Sequence, residues 1–236
     1  MTTTRITPQT ALITGGSSGL GLALARQLDD EGWIVVTDAR GESRLRTALD
    51  GTAIHGVPGD VTDAEHRATL IEIITELGGL DLLVLNASTL GPLPMRPLQQ
   101  YDPSEIAEVL RTNGGAQAAL MIGLADELLR RDGVVIGISS DAAVHHYEAW
   151  GPYGASKATL DHLVLTFGAE TGIATYAVDP GDMRTPMQQD AFPDEDISDR
   201  PLPQSVVPRL LALLEQRPQR GRYLAADVAV AEVASL

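Results

Sequence analysis

No cysteine occurs anywhere in the 236 residues. That excludes a disulfide framework, a thiolate metal site and a cysteine nucleophile at once. Basic residues are scarce: 17 Lys and Arg stand against 32 Asp and Glu, for a net charge of −15. A surface of that sign repels nucleic acid and anionic membrane, so neither is expected as a partner, and an anionic ligand has to be held by local features. Long apolar runs are missing too. Nothing approaches the roughly 18 uninterrupted apolar residues of a membrane span, and the stretch Met1 to Gln9 is polar, so a cytoplasmic protein is expected. The five histidines lack metal-ligand spacing, and no metal is expected.

What is present is a 44% hydrophobic chain, long enough for one substantial core and read as one domain over 1–236. Short β-rich apolar runs ending in Gly, Asp, Asn or Ser alternate with longer helical patterns, the mark of βαβ units that feed a parallel sheet. Strands are expected at Thr10 to Ile13, Ile34 to Thr37, Ile54 to Pro58, Leu82 to Leu85, Val134 to Ile138, Thr175 to Val178 and, more weakly, Arg222 to Ala225. The implied fold is α/β: a doubly wound, seven-stranded parallel sheet with helices on both faces. Leu20, Leu24 and Leu28, at i+4 spacing, form a core-facing stripe on the first helix. The proline-rich segment Pro180 to Pro208, with its acidic run Asp194, Glu195 and Asp196, reads as a lid or binding loop, with a substrate loop at about 182–208.

Three local patterns carry chemistry. The first strand runs through Thr14-Gly15-Gly16-Ser17-Ser18-Gly19-Leu20-Gly21 into a helix, which puts glycines where backbone must approach a bulky anion. The spacing is not the commoner GxGxxG, and a tight turn without a ligand is the plain alternative. Tyr153 and Lys157, four residues apart, share one helix face. An ammonium beside a phenol favours phenolate and makes the tyrosine usable for proton transfer, although such a pair alone is more often a solvated helix face. Ser139-Ser140 closes an apolar strand and places hydroxyls at the carboxyl end of the sheet, where doubly wound folds bind ligands.

Taken together and in order, these motifs resemble the short-chain dehydrogenase/reductase family over nearly the whole chain. Thr14 to Gly21 is similar to its TGxxxGxG, Gly59-Asp60-Val61 to its adenine-contacting Asp, and Asp81 with Asn86-Ala87 to its D…NNAG segment. Asn113, Ser140, Tyr153 and Lys157 match its catalytic set, with the usual interval of thirteen from Ser140 to Tyr153, and Pro180-Gly181 with Thr185 looks like its PGxxxT. Leu85 and Ser88 depart from NNAG, which implies a differently shaped loop. The resemblance implies a Rossmann-type enzyme that moves a hydride between a nicotinamide dinucleotide and a carbonyl or secondary alcohol. Tyr153 would transfer the proton, Ser140 hold the carbonyl oxygen, Lys157 lower the tyrosine and hydrogen-bond the cofactor ribose, and Asn113 hold a water linking Lys157 to solvent. Gly15, Ser17, Ser18, Gly19, Leu20, Gly21, Asp60, Val61, Asn86, Ala87, Ser88, Pro180, Gly181, Met183 and Thr185 would bind the cofactor with Tyr153 and Lys157. The resemblance also implies a homodimer or homotetramer.

The second strand ends Thr37-Asp38-Ala39-Arg40 and contains both answers to the choice of dinucleotide. A carboxylate here accepts from the adenosine ribose of NAD, whereas an arginine pairs with the extra phosphate of NADP. Arg40 falls on the position that typically carries the NADP-reading arginine, so NADP(H) is favoured over NAD(H), with an NAD-dependent enzyme reading ribose through Asp38 as the alternative. A non-catalytic dinucleotide-binding regulatory protein is a further one. Leu90, His146, Tyr147, Trp150 and Met183 are the candidates to flank a small or medium organic substrate, Tyr147 and Trp150 as an aromatic wall. A ketoreductase or carbonyl reductase is the expected activity.

Overall fold

The computed structural model describes residues 8–230. Strands and helices alternate: β1 (Thr10–Ile13), α1 (Gly19–Asp30), β2 (Ile34–Ala39), α2 (Glu42–Ala48), β3 (His55–Pro58), α3 (Ala64–Glu76) and β4 (Leu82–Leu85). They are followed by α4 (Pro103–Leu110), α5 (Ala116–Gly123), α6 (Ala125–Arg131), β5 (Val134–Ile138), α7 (Gly151–Thr171), β6 (Ala174–Asp179), α8 (Pro186–Ala191), α9 (Val207–Gln216) and β7 (Gly221–Leu224). All seven expected strands are present, with ends displaced by two residues at most. They form one parallel sheet in the order β3-β2-β1-β4-β5-β6-β7.

Both faces of the sheet are covered, and the period of two along each strand decides which side chain goes where. Ala11 and Ile13 of β1 point to the face packed by Leu20, Leu24 and Leu28 of α1 and by Leu210 and Leu213 of α9. Leu12, between them, points to the opposite face, where Leu70 and Ile74 of α3, Leu120 of α5 and Leu160 and Val164 of α7 pack. The leucine stripe of α1 is therefore core.

Strand order reverses direction between β1 and β4, the neighbours on either side having been laid down by crossovers that run opposite ways. Helices diverge there, which opens a crevice at the carboxyl ends of the strands. The Pro180–Pro208 segment is folded over that end: α8 is capped by the Thr185 hydroxyl, which accepts from the Gln188 N–H at 3.1 Å, and Arg200 ties Asp182 and Glu195 together while lying 5.3 Å from the Phe192 ring. No helix among the described residues is long and apolar enough to cross a membrane.

Candidate active site

A cleft of about 770 Å³ runs along the carboxyl edge of β1, β2, β4, β5 and β6. Its floor begins at the turn after β1. Gly15 has φ +76°, and a Cβ there would stand 2.9 Å from Ala87 Cα, so this backbone is admissible only for glycine. Gly21 does not line the cleft: a Cβ on it would meet the Gly15 carbonyl oxygen and Asn86 Nδ2 at 2.6 Å, so it lets α1 pack close beneath the turn. The start of α1 carries no side-chain cap from Ser18 and no acidic residue in its first turn, leaving its N–H groups and positive dipole end facing the cleft with Ser17, Gly19 and Leu20. That arrangement fits an anion.

The loop after β4 is stapled to the turn. Thr14 Oγ1 accepts from the N–H groups of Asn86 and Ala87, each at 2.9 Å, and Asn86 Nδ2 donates to the Thr14 oxygen at 2.8 Å. Leu85, the departure from NNAG, is fully buried between the sheet and its helices. Ser88, the other departure, lines the cleft and has a buried Oγ without a hydrogen-bond partner.

At the end of β2, Ala39 and Arg40 line the cleft, and Arg40 is exposed. So does Arg44 from α2, a residue sequence reasoning missed, although it lies one helical turn beyond Arg40. Asp60 and Val61 form the neighbouring wall. Burial pulls the Asp60 carboxyl upward, but hydrogen bonds from the Thr62 N–H and hydroxyl, with the nearby Arg40 and Arg111, hold it below the ordinary value. Asp38 behaves differently from its neighbours. It is buried, with Oδ1 accepting from the Gly15 N–H at 2.8 Å and Oδ2 lying 3.0 Å from His66 Nε2.

The reactive end of the cleft is built by β5 and α7. Tyr153, Lys157 and Ser140 converge there. Burial pushes the Tyr153 phenol above its ordinary value; the Ser140 hydroxyl is the chief group that pulls it back. Burial outweighs every group that lowers the phenol, and Lys157 is itself desolvated. Its Nζ donates to the Ile138 oxygen at 2.8 Å and lies 5.5 Å from the Tyr153 ring centre, and burial drives it down to about 8, against an upward pull from Asp161.

Asn113 is fully buried and does not line the cleft. It sits in a π-helical turn, Arg111–Gly115, that joins α4 to α5. Its Oδ1 accepts from the Thr89 N–H, and its Nδ2 donates to both the Thr89 oxygen and Ser156 Oγ, all at 2.8 Å. Both amide hydrogens are used within the protein, and the side chain fastens the Thr89 loop to α7.

Of the substrate candidates, Leu90 and Trp150 line the cleft beside Tyr153, and Met183 borders it from the β6 side. Trp150 meets Tyr153 edge-on at 5.5 Å and Phe192 at 5.9 Å, and Met187 completes the apolar patch. His146 and Tyr147 do not belong to the cleft. They are exposed, and the Tyr147 hydroxyl is taken by Asp141 Oδ2 at 2.8 Å, so the aromatic wall is Trp150 alone. Pro180, Gly181 and Thr185 line the cleft as expected.

Sequence reasoning also missed the support behind Ser140. Arg222 of β7 donates to the Ser140 oxygen at 2.9 Å and to Asp179 Oδ2 at 3.1 Å, with Asp161 Oδ2 at 3.3 Å; the Ser139 hydroxyl donates to Asp161 at 2.7 Å. Only the fold brings residues so far apart in sequence together, and no local pattern announces them.

A model of the short-chain dehydrogenase family matches residues 9–196. Serine 3-dehydrogenase of Rhizobium radiobacter is 34% identical over 181 residues, spanning 73% of this chain and 71% of that protein. Among solved structures, a short chain dehydrogenase from Shigella flexneri complexed with NADP superposes with a TM-score of 0.86 at 26% identity, covering 93% of this chain and 98% of that one. An actinorhodin polyketide ketoreductase with NADPH superposes at 0.82 and 26% identity, over 92% and 95%. Fold, motif order and these likenesses agree: the chain belongs to the short-chain dehydrogenase/reductase family.

Proposed function

We propose that this chain is an NADP(H)-dependent carbonyl reductase of the ketoreductase type, acting on a small or medium organic carbonyl compound. The observation that carries the reading is the meeting of the buried Tyr153 and Lys157 with Ser140 at the head of one cleft. A phenol there can give its proton to the oxygen of a reduced carbonyl, or take one from an alcohol in the reverse direction.

The cleft fits the dinucleotide. The uncapped start of α1, with Gly15 and Gly19, suits the pyrophosphate, and Gly15 is needed there because a Cβ on it would stand 2.9 Å from Ala87 Cα. Ala39, Arg40, Arg44, Asp60 and Val61 would hold the adenosine end, and Asn86, Ala87, Ser88, Pro180, Gly181, Met183 and Thr185 the nicotinamide end. Arg40, just after β2, and Arg44 of α2 suit the extra phosphate of NADP. Asp38 is unsuited to reading ribose, since both of its oxygens are engaged inside the protein. The NADP and NADPH complexes of the similar enzymes support the same choice.

When bound, the reduced nicotinamide supplies a hydride to the carbonyl carbon. The chain does the rest. Ser140 Oγ donates a hydrogen bond to the carbonyl oxygen and steadies the charge developing there. Tyr153 gives its phenolic proton to that oxygen, which completes the alcohol. Lys157, cationic below about 8, stabilises the phenolate left behind, and Asn113 fixes α7 against the Thr89 loop so that these groups keep their places. A purely binding role would leave unexplained why a lysine is buried at a cost in desolvation beside a tyrosine.

Fluorescence titration with NADPH and NADH tests the cofactor, and a preference for NADH of tenfold or more would overturn it. Tyr153→Phe tests the proton transfer: it keeps NADPH affinity and loses turnover by roughly 10²- to 10⁴-fold, the size of a lost general acid. Unchanged turnover would refute the role. We further infer that the chain forms a homodimer or homotetramer, which the exposed Ile122 and Leu129 on α5 and α6 support.

A further inference from the structure

A carboxylate at the end of β2 ordinarily works against NADP, and Asp38 stands one residue before Ala39, the position where NAD-using relatives usually carry it, while Arg40 is the partner that NADP needs. The structure shows how the two coexist. Three bonds hold Asp38 away from the adenosine side: its backbone oxygen accepts from the Gly16 N–H at 3.0 Å, Oδ1 accepts from the Gly15 N–H at 2.8 Å, and Oδ2 lies 3.0 Å from His66 Nε2. Side-chain exposure is 7% for His66 and 2% for Asp38, so this is an interior pair.

His66 reaches Asp38 from α3 only because Gly59, after β3, leaves room. A Cβ on Gly59 would stand 2.1 Å from His66 Nδ1, while the Gly59 N–H donates to the Ala39 oxygen at 3.0 Å and draws that loop against β2. The imidazole, the carboxylate and the glycine turn thus form one chain of contacts from α3 through β2 to the start of α1. The His66 Nε2–H is the only side-chain donor to Asp38 among the described residues.

We propose that His66 is a specificity-determining positioning residue: it holds the Asp38 carboxylate turned into the protein, which leaves the ribose end of the cleft to Arg40 and Arg44. The inference rests on the NADP(H) reading. Its physical basis is the cost of an unpaired buried charge. Without His66, Oδ2 loses its donor, and the carboxylate regains solvation by turning into the cleft, whose wall already includes Asp38. There it repels the extra phosphate, offsets the arginines, and accepts from the ribose hydroxyls that NAD presents.

The experiment measures dissociation constants for NADPH and NADH, by fluorescence titration, on four forms of the full chain: unaltered, His66→Leu, His66→Gln, and Asp38→Asn combined with His66→Leu. In His66→Leu, NADPH binding is expected to weaken about tenfold or more while NADH binding holds or tightens. His66→Gln keeps an N–H donor and keeps the original ratio. Removing the carboxylate in the double variant returns the ratio toward that of the unaltered chain, which a merely structural role for His66 would not do. Equal weakening of both nucleotides in His66→Leu, or a double variant with the same ratio as His66→Leu, overturns the proposal. Should His66→Leu fail to fold by circular dichroism, His66→Asn, polar but too short to reach Asp38, takes its place in the same comparison. The unaltered chain's own preference tests the NADP(H) reading, whereas the change of ratio between variants tests His66, so the two fail separately.

Discussion

At Tyr153 and Lys157, two burial effects act in opposite senses on neighbouring groups. Burial disfavours whichever form is charged, so it lifts the phenol and lowers the ammonium, the latter to about 8. The proton therefore sits on Tyr153 throughout the neutral range, while the cation beside it fades above about 8. Carbonyl reduction is expected to be level below that point and to decline above it as Lys157 loses its proton, which a kcat/KM profile against pH would show. A rate that climbs above pH ~8 would contradict the assignment. Lys157 also leaves a mark on stability. Its folded value is depressed from the ordinary 10.5, so between about 8 and 10.5 the unfolded chain binds more protons, and stability rises with pH across that window. Lys157→Met removes both the rise and the penalty. Thermal melts should show a variant more stable than the unaltered chain at pH 7, with a flatter dependence above pH ~8, and without turnover.

At the scale of elements, the site is a meeting of strand ends. The Tyr153–Lys157 spacing and the Ser140 position are legible because each belongs to one helix or one strand end, where the period is set by backbone geometry. The bracing of those groups is not local. Arg222 reaches from β7 to the Ser140 oxygen of the β5 loop, to Asp179 of β6 and to Asp161 of α7. Arg222→Met leaves two largely buried carboxylates without their cation, a loss on the order of 3 kcal/mol. Urea unfolding would measure it. Turnover is expected to fall with it, because Ser140 loses the bond that holds its carbonyl; an unchanged midpoint would show that the network contributes nothing. Gly21, read as a cofactor contact, turns out to serve packing of α1 beneath the turn, and Asn113 to fasten a loop to α7.

For the molecule as a whole, strand order and crossovers concentrate every glycine turn, arginine and hydroxyl of the site at one edge of the sheet. An acidic protein with a net charge of −15 holds its anion by placing a helix start, Arg40 and Arg44 in that one cleft rather than by its overall field. The acidic run Asp194 to Asp196 stays out of it, Glu195 pairing with Arg200 and Asp196 accepting from the Ser198 N–H. Light scattering should give a mass about two or four times the 25.0 kDa of the chain. A single 25 kDa species would dismiss the homo-oligomer.

The sequence by itself determined the sheet, its seven strands and the identity of the residues at the reactive end. Those follow from alternation along strands, from helical spacing in the leucine stripe and the Tyr153–Lys157 pair, and from glycines at a strand-to-helix turn, all of which are properties of short stretches of chain. Tertiary structure alone decided what each polar side chain is free to do. Asp38 and Arg40 stand together in sequence, which favours Arg40 for the extra phosphate and keeps Asp38 as the alternative reader of the ribose. A histidine from α3, 28 residues on, takes the carboxylate inward and leaves the arginine outside. Tyr147 stood beside the substrate candidates until Asp141 captured its hydroxyl, and Arg44 and Arg222 entered the site from elements that carry no motif. The physical reason is common to all of them: a buried polar group has to find a partner wherever the fold supplies one, and that partner is a matter of distance in space, which spacing along the chain does not encode.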